Sequence, residues 1–270
     1  MTTIEAASER LQTASHASIL SLRSLRKQRG KPGGSTVFEL IVPELEVRAG
    51  QFVAIVGESG CGKSTLLDML ALVSRPTECA EFRFGDAQDA TGSHDVASLW
   101  SRQDEAALSH LRASRLGYVL QTGGLLPFLT VEQNILLPFR ILGLPPDVER
   151  ARTLARRIGI ENELAKKPHQ LSGGQRQRAA ILRALVHRPR VILADEPTAA
   201  VDRTRAEGIV ADLDALVRGT GATVIMVTHD VPLVRPFADE LYGFSLENPS
   251  PSLVRSTCVR LPPPGTGAGI

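Results

Sequence analysis

The sequence predicts an α/β fold: a mainly parallel sheet with a mostly helical subdomain inserted between two of its strands. Short β-rich runs alternate with helical periodicity, the pattern of βαβ units. Four of these runs are continuously apolar, as strands covered on both faces must be: FVAIVG (52–57), LGYVLQ (116–121), VILADE (191–196) and TVIMVTH (223–229). The stretch 122–187 breaks the alternation with PFLTVEQNILLPFRILGL, VERARTLARRIGI and QRQRAAILRALV, which mark the helical subdomain.

Each strand delivers a polar or glycine-rich element at its C-terminal end, the edge where open α/β sheets bind ligands. Around this core the remaining segments are less patterned. Residues 85–114 are polar and predict a loop with one short helix. Residues 1–16 and 247–270 are expected as tails, the second flexible and closing on LPPPGTGAGI, which leaves 17–246 as one domain. There is no internal repeat.

Composition bounds the functional classes. The chain has 270 residues, 43% of them apolar and 22% charged, which is ordinary for a soluble globular protein. With 31 basic against 29 acidic residues the formal charge is +2, so a nucleic-acid-coating surface is not expected. The 3 cysteines (Cys61, Cys79, Cys258) form no CxxC pair, which fits a reducing compartment. No window reaches the ~18 apolar residues of a membrane span, and the N-terminus lacks a signal-peptide core.

The chemistry concentrates in GESGCGKST (57–65), a match to GxxxxGK[ST] between a strand and the helical run STLLDMLALV. Gly57, Gly60 and Gly62 are expected to take positive φ, so that the amides of Glu58, Ser59, Cys61 and Thr65 with their neighbours form a phosphate nest at a helix start. Lys63 would reach the β- and γ-phosphates, and the Ser64 hydroxyl would ligate Mg²⁺. The bland alternative is a glycine-rich strand-to-helix turn. VILADE supplies Asp195 as a second Mg²⁺ ligand through water and Glu196 to orient or deprotonate an attacking water. Alone, that pair reads equally as a helix cap or a solvated acidic pair. Gln121, ending LGYVLQ, can contact the metal or the water, and His229, ending TVIMVTH, can bond the γ-phosphate. Each has a structural reading as a loop or strand-end residue.

LSGGQRQR (171–178) opens a further helix. Ser172 is a good N-cap, and with Gln175 three residues on it forms a capping box. The same start can offer Ser172 and the amides of Gly173 and Gly174 to an anion. The two readings are compatible, because a capped start leaves other N–H groups unused.

Phosphate loop, strand-end Gln, LSGGQ, VILADE and strand-end His, in this order over roughly 17–245, resemble the nucleotide-binding subunit of ATP-binding-cassette transporters. The resemblance implies a P-loop ATPase core with an antiparallel β subdomain beside the helical one. It implies ATP and Mg²⁺ as cofactors. It also implies two subunits, expected here as a homodimer, meeting head to tail so that each ATP lies between one phosphate loop and the partner's LSGGQ. AAVD (199–202) falls at the family's dimer-contact loop, where Asp202 matches its aspartate. YVLQTGGLLP (118–127) falls where the family couples to transmembrane permease subunits. TVEQNILLPF and LADEPTAAVD look closest to the lipoprotein and macrolide exporters, which transmit motion across the membrane.

Three features depart from that pattern. The family stacks adenine on an aromatic residue upstream of the phosphate loop, but LRSLRKQRGKPGG (22–34) has none; an Arg can stack instead, or nucleotide selectivity is looser. The 85–114 segment is long. The basic cluster Arg23, Arg26, Lys27, Arg29 and Lys31 can touch anionic lipid or form a solvated hairpin. The expected function is an ATPase subunit on the cytoplasmic face of the inner membrane, held there by permease subunits and without nucleic-acid partners. A soluble ATP-dependent switch on ribosomes or DNA is the alternative; one cassette and no sustained heptads weigh against it. A non-hydrolysing partner is disfavoured because every motif residue is intact.

Overall fold

The computed structural model describes residues 18–30, 36–85, 92–199 and 201–262. The expected 1–16 tail, Lys31, Ala200 and the end of the C-terminal tail lie outside these residues. Among the described residues ten strands form one sheet. In chain order they are β1 (Ser18–Arg29), β2 (Val37–Arg48), β3 (Phe52–Val56), β4 (Glu81–Phe84), β5 (His94–Asp95), β6 (Leu116–Val119), β7 (Val191–Asp195), β8 (Thr223–Thr228), β9 (Glu240–Ser250) and β10 (Leu253–Arg260). Their spatial order is β5-β4-β1-β2-β10-β9-β3-β8-β7-β6.

From β9 to β6 the neighbours run parallel; β1 pairs antiparallel with β2 and β4. Strand β10 joins the two halves, lying parallel to β2 and antiparallel to β9. The antiparallel subdomain is therefore continuous with the parallel sheet. At this seam the buried Glu39 carboxylate accepts from Arg26 (2.5 Å), Gln28 (3.1 Å) and Arg255 (2.6 Å), tying β1, β2 and β10 together. Of the expected basic cluster, Arg23, Arg26 and Arg29 all face carboxylates across or beside the sheet. A solvated hairpin is thus the better description.

The apolar strands divide their side chains between two cores by the strand period of two. Phe52, Ala54 and Val56 enter one with Ile192, Ala194, Val224 and Met226. Val53 and Ile55 enter the other with Val191, Leu193, Ile225 and Val227. Helix α1 (Lys63–Leu70) covers the second face, as do α2 (Val96–Ser101) and α3 (Glu105–Arg115). The first face packs against α4 (Val131–Ile135), α5 (Leu137–Ile141), α6 (Val148–Arg157), α7 (Gly173–Leu185), α8 (Arg203–Thr220) and α9 (Val231–Val234). Helices α4 to α7 all fall within the expected 122–187 stretch. Among the described residues no helix is long and apolar enough to cross a membrane.

Two expectations need correction. Residues 247–260 are the far half of the β9–β10 hairpin, not a tail. Pro249 is accommodated because the β9–β10 register shifts between Leu253 and Arg255, a bulge where a missing N–H is tolerated. In 85–114 there are two helices where one was expected, capped by Asp95 and Asp104, whose side chains accept from the Ser98 and Ala107 amides. Buried Leu99, Trp100, Leu108 and Leu111 anchor them.

Candidate functional site

The chain leaves β3 at Val56, turns through 57–62 and enters α1 at Lys63. Gly60 (φ +82°) and Gly62 (φ +105°) take the left-handed conformation the turn demands. Gly57 does not, contrary to expectation. Its requirement is space, since a Cβ there would stand 2.6 Å from Cys61 Sγ and 3.0 Å from Phe244. Because α1 starts at Lys63, the amides of Ser64 and Thr65 have no carbonyl one turn back and remain available to an anion. The buried Lys63 ammonium donates to the carbonyls of Gly57 (2.7 Å) and Glu58 (2.8 Å). Cys61 serves the loop through its backbone: its carbonyl accepts from Ser256 Oγ at 2.6 Å, and burial pushes its thiol pKa up.

The four sheet strands end one or two residues before the apolar runs do, so their polar residues sit in the turns that follow. Glu196 follows β7 at φ +40°, a left-handed conformation costly for a side-chain-bearing residue, with its amide bonded to the Val227 carbonyl at 3.0 Å. This aims its carboxylate between Lys63 Nζ (3.6 Å from Oε1) and His229 Nδ1 (3.2 Å from Oε2). Asp195 is half-buried and bonded to the Ser64 hydroxyl. Burial first, then Glu196 and Asp68, push its carboxyl pKa up. Carboxylates therefore outnumber the single ammonium here, and a divalent cation would relieve the excess. Ser64 and Asp195 are hard oxygen donors of the kind Mg²⁺ takes alongside substrate phosphates. Among the described residues no group of three or more His, Cys, Asp or Glu could hold a metal unaided, which suits that mode.

A cavity of about 330 Å³ lies over the loop, lined by Ser59, Gly60, the Gly62–Thr65 run and Glu196. Two further lining residues, Arg29 and Phe38, are absent from the motifs. They are opposite each other in the β1–β2 register, a relationship that no local sequence signal reveals.

Gln121 is not brought to this cavity. Strand β6 ends at Val119, and Gln121 sits exposed in the following turn. That turn is fastened to the helical subdomain, where Arg183 donates to the carbonyls of Gly123 (2.9 Å) and Gly124 (2.6 Å). Ser172 caps α7 as expected: its Oγ accepts from the Gln175 amide (3.2 Å), and its own amide donates to Gln175 Oε1 (2.8 Å). Gly173 lies against Val201, and nothing stands within 4 Å of a Cβ built on Gly174. No residue of LSGGQ lines the phosphate cavity of its own chain. Asp202 caps α8 by accepting from the Arg205 amide at 3.1 Å, and is likewise outside that cavity.

A nucleotide-type phosphate loop, an acidic pair ending the second strand over and a strand-end histidine define a P-loop ATPase. The comparisons agree. The model of the ABC transporter family matches residues 42–199, and the chain belongs to that family. It is 41% identical over 214 residues to the pyoverdine export ATP-binding/permease protein PvdT of Pseudomonas aeruginosa, covering 78% of this chain and 30% of that protein. It thus spans less than a third of that relative's length. It is 38% identical to the lipoprotein-releasing system ATP-binding protein LolD of Pseudomonas syringae pv. tomato, covering 82% of this chain and 92% of that one. A dimeric, post-hydrolysis structure of the ATP-binding cassette MJ0796 with ADP and Pi superposes at a TM-score of 0.67 and 31% identity, over 88% of this chain and 97% of that one. These relatives are ATP-binding parts of export and lipoprotein-releasing systems, and the ribosome or DNA switch is not favoured.

Proposed function

We propose that two copies of this chain sandwich two Mg·ATP and use their hydrolysis to drive permease subunits in a membrane. The observation that carries this reading is the division of the phosphate-binding parts. Lys63 and Glu196 line the loop cavity and His229 bonds Glu196 from its side, while the Ser172–Gln175 helix start lies outside it with Ser172 exposed. A second chain would bring its Ser172, Gly173, Gly174 and Gln175 to this loop, with Asp202 at the contact between copies.

Within the sandwich, loop amides and Lys63 hold the β- and γ-phosphates. Glu196 accepts the proton of the attacking water as its oxygen bonds to the γ-phosphorus and the bond to the β-phosphate oxygen breaks. His229 holds Glu196 and the γ-phosphate in register. Ser64 and Asp195 would hold Mg²⁺, which neutralises charge on the phosphates when bound. Gln121 joins the site only if the helical subdomain carries its turn inward. Beside that turn a groove of about 500 Å³, lined by Tyr118, Leu120, Leu137, Pro138, Ile141 and Arg183, is a suitable seat for a permease segment. The chain would then lie on the cytoplasmic face of the membrane.

The test is the dependence of ATPase rate on protein concentration. Well below the dimer dissociation constant, the rate per chain rises with concentration. A rate per chain independent of concentration over that range rejects the two-copy site.

A further inference from the structure

We propose that Ser256 is a positioning residue for phosphate binding: by holding the Cys61 carbonyl, it aims the Gly62 amide into the cavity over the loop. The proposal rests on the phosphate loop being a nucleotide site. Ser256 stands fully buried on β10, paired with Leu40 of β2 and Leu246 of β9. Its hydroxyl donates to the Cys61 carbonyl at 2.6 Å. Cys258, two positions further on the same strand, lies in the apolar core. A hydroxyl buried beside that core costs free energy unless it is bonded, and the bond to the loop offsets the cost.

A trans peptide plane carries its C=O and its N–H on opposite sides. Cys61 and Gly62 share one such plane, so a Cys61 carbonyl held towards β10 turns the Gly62 N–H the other way. Gly62 lines the cavity, whereas Ser256 is closed off from solvent beneath the loop. The N–H therefore points to where a phosphate would sit. The following plane is pinned as well, because the Gly62 carbonyl accepts from the Leu66 amide at 2.9 Å. Gly62 stands at φ +105° between these two anchors. An amide aimed before the ligand arrives spares binding the cost of ordering it. Without the Ser256 hydroxyl the plane between Cys61 and Gly62 is free to turn.

Calorimetric titration of the full chain with inorganic tripolyphosphate and with ATP, each with Mg²⁺ and well below the melting temperature, reads the effect. Ser256→Ala is expected to weaken both ligands about tenfold, the worth of one hydrogen bond to a charged group. Steady-state hydrolysis by the same variant shows KM raised about tenfold and kcat near wild type, because the amide grips phosphate before and during the reaction alike. Tyr242→Phe is the control. It removes another buried hydroxyl of the β9–β10 hairpin, one bonded to the backbone of Glu46 rather than to the loop. Its affinities, KM and kcat are expected at wild-type values.

Wild-type affinity and KM in Ser256→Ala would overturn the proposal. So would a lowered kcat at unchanged KM, which is what a smaller folded fraction gives. An equal loss of affinity in Tyr242→Phe would assign the effect to the hairpin as a whole and reject Ser256 as the positioning group. A wild type that fails to bind tripolyphosphate would break the phosphate-site reading itself, and the proposal with it.

Discussion

Nδ1 of His229 lies 3.2 Å from Oε2 of Glu196, with Lys63 on the other carboxylate oxygen. A carboxylate only accepts, so Nδ1 is the donor and Nε2 is left for an incoming group. Lys63 opens α1, Glu196 and His229 directly follow β7 and β8, and one carboxylate links all three.

Replacing that carboxylate by its amide keeps the shape and removes the base. Glu196→Gln is expected to bind Mg·ATP, lose turnover by about 10²–10⁴, and accumulate as an ATP-held dimer. Light scattering in saturating Mg·ATP reads the outcome, and a variant that stays monomeric removes support for the sandwich.

Ser172→Arg places a bulky cation where the partner's phosphates would sit. Hydrolysis should vanish while the monomer binds ATP with wild-type affinity, and loss of the N-cap costs the fold only about 1 kcal/mol. If fluorescent-nucleotide titration finds monomer binding lost as well, LSGGQ serves its own chain.

Asp195 opposes folding where it is charged. Its raised pKa means that the folded state binds the proton more tightly than the unfolded chain. The resulting stability is complete below the unfolded value of about 3.9 and disappears as pH climbs through the folded value. Nucleotide-free Asp195→Asn should therefore melt higher than wild type at about pH 8, with the gap narrowing towards about pH 4. The same variant should lose Mg²⁺-dependent ATP binding. A lower melting temperature for the variant at the alkaline end would contradict this balance of charges.

Two glycines separate packing from function. A Cβ on Gly117 would lie 2.1 Å from the Ala184 carbonyl oxygen, a backbone atom of α7 that cannot swing away, whereas Gly174 has open space. Gly117→Ala should cost about 1–3 kcal/mol in urea unfolding. Gly174→Ala should leave unfolding near wild type while impairing dimer-dependent hydrolysis. Equal destabilisation by the two would show that the β6–α7 contact is not the constraint.

The parallel strands were legible because burial on both faces leaves an unbroken apolar run, and the phosphate loop because its residues are contiguous. Partnerships set by register were not. Arg29 opposite Phe38 exists only once β1 and β2 pair. The β9–β10 hairpin was obscured because the closing LPPPGTGAGI set the reading for all of 247–270, whereas the hairpin shows only in its pairing. Gly57 was recognised but for the wrong reason, since a motif specifies glycine without saying whether torsion or space demands it. Gln121 was placed by its strand end, whereas Arg183 decides where its turn sits.

The hydroxyl of Ser256 reaches the carbonyl of Cys61 across 195 positions of chain. A nascent polypeptide halted before residue 256 already contains all of GESGCGKST, yet lacks the strand that props the loop from beneath. The loop therefore gains this support only once residue 256 has been made, well after its own motif.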